Sequence, residues 1–255
     1  MQGIGRPLAA LLIGAALVAA GCTGDERPTA ASARPSSPPV TRSAAYGITC
    51  LQGAERAAAF RFRVGEGLNT VGVALGQGRR GLVFGHQLGS NLCEWIPIAR
   101  SYPRLGYRVL AFDFRDYNRP DYDVAAAVAE LRRRGVTKVM LVGSSLGGTA
   151  VLVAAARLRP PVAGVVSLSG GAVVLGLDAR PAVSRLRVPA LFMAARGDEP
   201  FASAARGLYG AAGTHDKRLV VLSSAAHGTN LLTFGSEGAM ARKTLRRFVE
   251  VHLGQ

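Results

Sequence analysis

The sequence predicts an α/β fold in which a mostly parallel central sheet carries helices on both faces. Three observations lead there. Apolar runs of strand length recur along the chain with little polar alternation, as expected of strands covered on both sides. These runs alternate with stretches of helical period, the pattern of repeated β-α units. Hydrophobic residues make up 49% of the chain and aromatic ones only 6%, so Val, Leu and Ala fill the runs, which suits a helix-covered parallel sheet better than a sandwich.

The first forty-odd residues stand apart from that pattern. One positive charge within residues 1–6 precedes an apolar run over residues 8–20, too short for a stable span, and Gly21 and Cys22 follow at once. This is the build of a signal peptide. Val18-Ala19-Ala20-Gly21-Cys22 resembles the lipobox of bacterial lipoproteins, with Ala19 where that motif usually has Leu. The resemblance implies a signal peptide over residues 1–21 and a lipidated Cys22 as the mature N-terminus. The protein would then be secreted and anchored through its lipid to the outer face of the bacterial cell membrane. Ordinary cleavage, with Cys22 a bystander, is the alternative. Residues 22–45 are rich in Pro, Ser, Ala and Thr, lack an apolar period, and read as a disordered tether. That leaves one domain over residues 46–255.

With Cys22 taken up by lipid, Cys50 and Cys93 remain, an even pair expected to form a disulfide in an oxidising compartment. Two buried free thiols are the other reading. Lys and Arg number 31 against 16 Asp and Glu, a net charge of +15. The excess is mostly Arg scattered at helix ends and loops, such as Arg132, Arg133 and Arg134, without an aromatic-interleaved stripe. It points to a solvated basic surface near anionic lipid and away from nucleic acid.

Residues 60–64 and 70–75 are short, alternating and separated by Gly-containing turn material, which predicts an antiparallel opening pair. Further strands are expected over residues 81–85, 108–112, 138–142, 162–168, 190–194 and 218–222. Val124, Ala127, Val128 and Leu131 recur at helical spacing behind the candidate N-caps Asp121 and Asp123. The last helix is expected to bury Ala241, Leu245, Phe248, Val249 and His252 and to turn Arg242, Lys243, Arg246 and Arg247 to water.

Chemistry enters at Gly143-Ser144-Ser145-Leu146-Gly147, which joins a buried strand directly to the Ala-rich helical segment 149–157. A Gly-x-Ser-x-Gly turn between strand and helix is a nucleophile elbow: the central residue is strained, its hydroxyl stands clear of the sheet, and side chains at the two glycines would collide. Alone the pattern is weak, since a Gly-rich turn can merely pack a helix on a strand. It gains force because Asp198 and His227 each follow the end of a later strand, where α/β sheets gather ligands. His86, His215 and His252 do not follow a late strand and read as packing or surface residues. Glu199 competes with Asp198, and Asp113 and Asp116 read as organisers of a surface loop. Ser144 reads as buried support.

In that order of nucleophile, acid and His, over nearly all of residues 81–253, the chain resembles the α/β-hydrolase family, and within it the capless serine hydrolases related to dienelactone hydrolase. Val83-Phe84-Gly85-His86-Gln87-Leu88-Gly89-Ser90, followed by Trp95, resembles the family's His-Gly oxyanion loop. The resemblance implies a triad of Ser145, His227 and Asp198, and an oxyanion hole from the backbone N–H groups of Leu88 and Leu146. Gln87 stands where the family usually has Gly, and its side chain is expected either to narrow the hole, to offer an amide to substrate, or to shift the backbone.

The implied reaction is hydrolysis of a small acyl compound through an acyl-enzyme on Ser145, with no metal or organic cofactor. A thioesterase or peptidase of the same fold, or an inactive lipid-anchored binding protein, are the competing readings; the presence of all three triad residues speaks against the last. Residues 169–188 leave room for one helix at most where this fold usually inserts a cap. An open cleft that favours short, soluble acyl esters is therefore expected, unless residues 117–123 and 170–175 fold over it as a partial cover.

Overall fold

A computed structural model describes residues 48–254. The expected signal peptide, the candidate lipid site Cys22 and the tether lie outside the described residues. Within them the chain runs α1 (Gly53–Ala57), β1 (Ala59–Gly65), β2 (Leu68–Leu75), β3 (Arg80–Gly85), α2 (Ile96–Ala99), β4 (Tyr107–Phe112), α3 (Pro120–Arg133), β5 (Lys138–Ser144), α4 (Leu146–Arg157) and β6 (Gly164–Leu168). Then come β7 (Val173–Val174), β8 (Leu177–Asp178), α5 (Arg180–Ser184), β9 (Ala190–Ala195), α6 (Phe201–Ala211), β10 (Lys217–Leu222) and α7 (Gly235–Leu253).

Eight strands form one sheet in the order β1-β2-β4-β3-β5-β6-β9-β10. β1 and β2 pair antiparallel as expected, β2 runs antiparallel to β4, and the six strands from β4 to β10 are parallel. The period of two along each strand sorts its side chains between two helix layers. Val83, Leu141, Val165 and Phe192 point to the core shared with α3, α4 and α5. Phe84, Met140, Val166 and Met193 point to the core shared with α2 and α7. Both faces are dry, so the central strands carry no polar alternation. On α7 the buried stripe is Ala241, Leu245, Phe248 and Val249, while Arg242, Lys243, Arg246 and Arg247 are exposed; His252 is half-buried, its ring 4.4 Å from that of Phe248.

Two expectations need correction. Neither Asp121 nor Asp123 caps α3: the cap is Arg119, with Pro120 in the first turn, where a missing N–H costs nothing. The two aspartates lie inside that turn, fully buried. Asp121 pairs with Arg119 and Arg157, and Asp123 lies 2.8 Å from Arg115. Their charge still favours the positive end of the helix. The segment 169–188 holds the short α5 and also the β7–β8 hairpin, two residues per strand, too brief to leave a period in the sequence.

Cys50 and Cys93 form the expected disulfide, with Cα atoms 5.6 Å apart. It ties the chain ahead of α1 to a 3-10 turn over Leu92–Glu94. Trp95, next in sequence, is fully buried, stacks on Phe84 at 4.8 Å and donates Nε1–H to the Gly85 carbonyl at 3.0 Å. Glu94 is thus gripped on both sides.

Candidate active site

Ser145 lies at the junction of β5 and α4 with φ 50° and ψ −115°, in the left-handed half of backbone space where a residue with a Cβ is strained. Its N–H donates to the Leu168 carbonyl at the end of β6, 2.8 Å away, which holds the turn against the sheet. The flanking glycines are sterically required: a Cβ on Gly143 would meet the Gly147 carbonyl oxygen at 2.2 Å, and one on Gly147 would meet the Gly85 carbonyl oxygen at the same distance. The expected collision within the turn is thus found at Gly143, whereas Gly147 is required by the close approach of β3 to the start of α4.

Asp198 follows β9 and His227 follows β10, so both stand at the same C-terminal edge of the parallel strands as Ser145. The Asp198 carboxylate accepts from His227 Nδ1–H at 2.9 and 3.0 Å and from the Ser169 hydroxyl at 2.6 Å. Those bonds fix the proton on Nδ1 and leave the Nε2 lone pair as the basic position. Ser169 Oγ in turn accepts the Gly228 N–H at 3.0 Å, so one buried hydroxyl links the acid to the loop bearing the imidazole. Glu237, in the first turn of α7, accepts the N–H groups of Ser223 and Ser224 at 2.8 and 3.1 Å and steadies the same loop from outside. Those bonds hold its carboxyl below the usual range. Ser145 Oγ makes no hydrogen bond to His227 among the described residues, a link that catalytic sites commonly tighten only around substrate.

The loop after β3 is pinned from below. His86 is buried; its Nε2 accepts the Phe114 N–H at 3.0 Å, so Nδ1 carries the proton and donates to the Gln87 carbonyl at 2.7 Å. Burial pushes its pKa down and keeps it neutral, as those two bonds require. Glu94 reaches both halves of the site. One carboxylate oxygen accepts the Gln87 N–H at 2.8 Å, and the other accepts the Ser144 hydroxyl. Leu88 follows Gln87 directly, its side chain 44% exposed and its N–H without an acceptor among the described residues. The Leu146 N–H opens α4, where no intrahelical acceptor exists. The Gln87 side chain lies beside the His227 loop, where a Cβ on Gly228 would meet its Oε1 at 2.6 Å.

Ser144 is support for the elbow, as expected, and the other candidates fall into structural places. Asp113 accepts the Leu92 N–H at 2.6 Å and Asp116 the Asn118 N–H at 2.9 Å. Glu199 is bonded to the Ser203 N–H and faces Arg206, His215 is exposed, and His252 lies 3.6 Å from Asp216. Glu94, Ser169 and Glu237 were not legible as site residues. Among the described residues no three His, Cys, Asp or Glu side chains gather as a metal site, and no helix is long and apolar enough to cross a membrane.

A family model for the alpha/beta hydrolase fold matches residues 82–185. Among solved structures, a dienelactone hydrolase from Anabaena variabilis is similar with a TM-score of 0.66 at 22% identity, over 76% of this chain and 97% of its own. The esterase domain of a Rhodothermus marinus protein is similar with a TM-score of 0.63 at 22% identity, over 77% and 98%. An esterase of Pyrococcus furiosus is similar with a TM-score of 0.66 at 12% identity, over 77% and 91%. No curated protein matches the sequence. At these identities the likeness is one of fold, and the fold is that of the alpha/beta hydrolases.

Proposed function

We propose that this chain of alpha/beta-hydrolase fold is a serine hydrolase that cleaves carboxylic esters or closely related acyl compounds through an acyl-enzyme on Ser145. The observation that carries the reading is the His227–Asp198 pair, joined through Nδ1, set at the same sheet edge as a serine held in a strained backbone conformation at the start of a helix. Ser145 Oγ attacks the carbonyl carbon as its proton passes to His227 Nε2, giving a tetrahedral oxyanion. Asp198 stabilises the imidazolium, and the N–H groups of Leu88 and Leu146 receive the negative charge. The imidazolium returns its proton to the leaving alcohol. Water then repeats the attack on the acyl-enzyme, and the acid and free Ser145 are released.

Thioester or peptide substrates differ only in the leaving group, and pocket shape decides among them. With a dozen or so residues of loop and turn where a cap could sit, long acyl chains gain little enclosure, and short to medium soluble esters are the expected substrates. Anchoring through Cys22 outside the cytoplasm belongs to the same proposal; the Cys50–Cys93 disulfide is compatible with an oxidising compartment. A fluorophosphonate probe tests the central claim. The wild-type protein should be labelled on Ser145, and Ser145→Ala should lose both labelling and p-nitrophenyl ester turnover; undiminished turnover in Ser145→Ala would remove the mechanism.

A further inference from the structure

Leu175 is poorly explained by folding. Val174 pairs with Leu177 across β7 and β8, so Leu175 and Gly176 form a two-residue hairpin loop, with φ of 48° and 78°. Two successive positive φ values are the type I′ geometry, which favours Asn, Asp or Gly at both positions and disfavours a branched apolar side chain. Burial does not compensate, because Leu175 is 58% exposed and Val173, on the same hairpin, 47%. The hairpin thus holds two apolar side chains out to solvent at a strained tip.

Between the hairpin and the start of α6 lies a cleft of about 610 Å³, open to solvent on one side and walled by Ala172, Val173, Leu175, Pro200, Phe201 and Ala204, with no polar side-chain atom in its lining. The ring of Phe201 lies against that of His227, centroids 4.4 Å apart. Thr149, four residues past Ser145, donates its hydroxyl to the Gly171 carbonyl at 2.9 Å and ties the base of the hairpin to α4. One apolar cleft is therefore fastened to both the candidate base and the helix behind the candidate nucleophile.

We propose that this cleft binds the acyl chain of the ester and that Leu175 covers the chain, so that the substrates are esters of butanoic to octanoic acids in preference to acetates. The inference rests on the serine-hydrolase reading and names the substrate class of that site. The cleft has no polar side chain to satisfy a hydroxylated or charged acyl group, and such substrates are disfavoured by desolvation. Its open side sets the upper limit, because carbons that run beyond Leu175 stay in water and add no binding.

Each methylene taken from water is worth about fourfold in kcat/KM. The half-open cleft should therefore favour p-nitrophenyl hexanoate over acetate by roughly tenfold to a hundredfold. Leu175→Asn is the discriminating variant, because Asn suits the turn better than Leu does. Its Tm should hold or rise while the hexanoate-to-acetate ratio of kcat/KM falls by about tenfold. Ala204→Trp, which fills the cleft from α6, should lower the same ratio further. A fall in Tm for Leu175→Asn with the ratio intact would mean that Leu175 serves the fold, and would overturn the proposal. So would a preference that follows the alcohol chain in an ethyl-to-hexyl acetate series while the acyl series stays flat. A wild-type protein with neither ester turnover nor labelling of Ser145 brings down the hydrolase reading and this inference together; an active wild type with a flat acyl series brings down this inference alone.

Discussion

Replacing Glu94 by Ala would separate what assembles the site from what reacts in it. The two carboxylate oxygens each take one donor, the Gln87 N–H at 2.8 Å and the hydroxyl of the buried Ser144. These donors lie one and two residues from the N–H groups assigned to the oxyanion, so a single side chain sets the spacing between the two halves of the hole. Hydrogen bonds to a charged acceptor are worth about 1.5–3 kcal/mol each, and an orphaned Ser144 hydroxyl adds cost. Allowing for water reaching the half-buried carboxylate site, the loss should be about 2–4 kcal/mol, or roughly 5–15 °C in Tm for a domain of this size. Removing one oxyanion donor outright costs about 100- to 1000-fold in kcat. Glu94→Ala displaces a donor without deleting it, so kcat for p-nitrophenyl acetate should fall by about 10- to 100-fold with KM little changed. Glu94→Gln, which keeps one acceptor, should lie between. The control is Leu245→Ala, a fully buried truncation on α7 costing about 2–5 kcal/mol. Steady-state kinetics and thermal melts on the same preparations decide the matter. A lowered Tm with unchanged kcat, as expected for Leu245→Ala, would show that Glu94 merely supports the fold.

Three further outcomes follow from the same geometry. Ser145→Ala and His227→Ala should each abolish ester turnover and leave the melting curve nearly in place, whereas Asp198→Asn should retain a trace of activity, because nucleophile and base act as a unit and the acid orients; equal, partial losses in all three would contradict those roles. Burial pushes the Asp123 carboxyl up from 3.8 to about 6 against the pull of Arg115. Its folded pKa thus exceeds the unfolded one, and the stability this contributes is present below the unfolded pKa and is lost as pH rises through about 6. The stability of wild type relative to Asp123→Asn should accordingly fall by roughly 2–3 kcal/mol from pH 4 to 7, measured by urea denaturation, and a pH-independent difference would refute the assignment. Mass spectrometry of the mature protein should find an N-terminal Cys22 carrying lipid; an unmodified N-terminus elsewhere would contradict the lipobox.

Which parts of the molecule were legible in its sequence depends on whether the determining interaction is local. The parallel strands declared themselves because burial on both faces selects Val, Leu and Ala whatever the neighbour is, and Leu82 to Phe84 or Met140 to Val142 read the same in any such sheet. Ser145 was legible because the pattern around it is five residues long, although only Gly143 is required by the turn itself, while Gly147 is required by the Gly85 carbonyl of the neighbouring strand. Asp198 and His227 were legible by position alone, each past the end of a strand already assigned. Glu94, Ser169 and Glu237 were not, since a carboxylate or hydroxyl that accepts a distant N–H leaves no period and no required neighbour. Asp121 and Asp123 misled for a related reason. An Asp near a helix start has two ways to meet the positive dipole, as a cap or as a buried ion pair in the first turn, and the choice was made by Arg115, Arg119 and Arg157, the last of these 36 residues away from Asp121. Leu175 is the opposite case. The local rules for a two-residue turn are well defined, the sequence breaks them, and only the cleft beside the turn gives the break a purpose. A local rule that fails where no packing replaces it is thus a more direct pointer to substrate than any residue that obeys one.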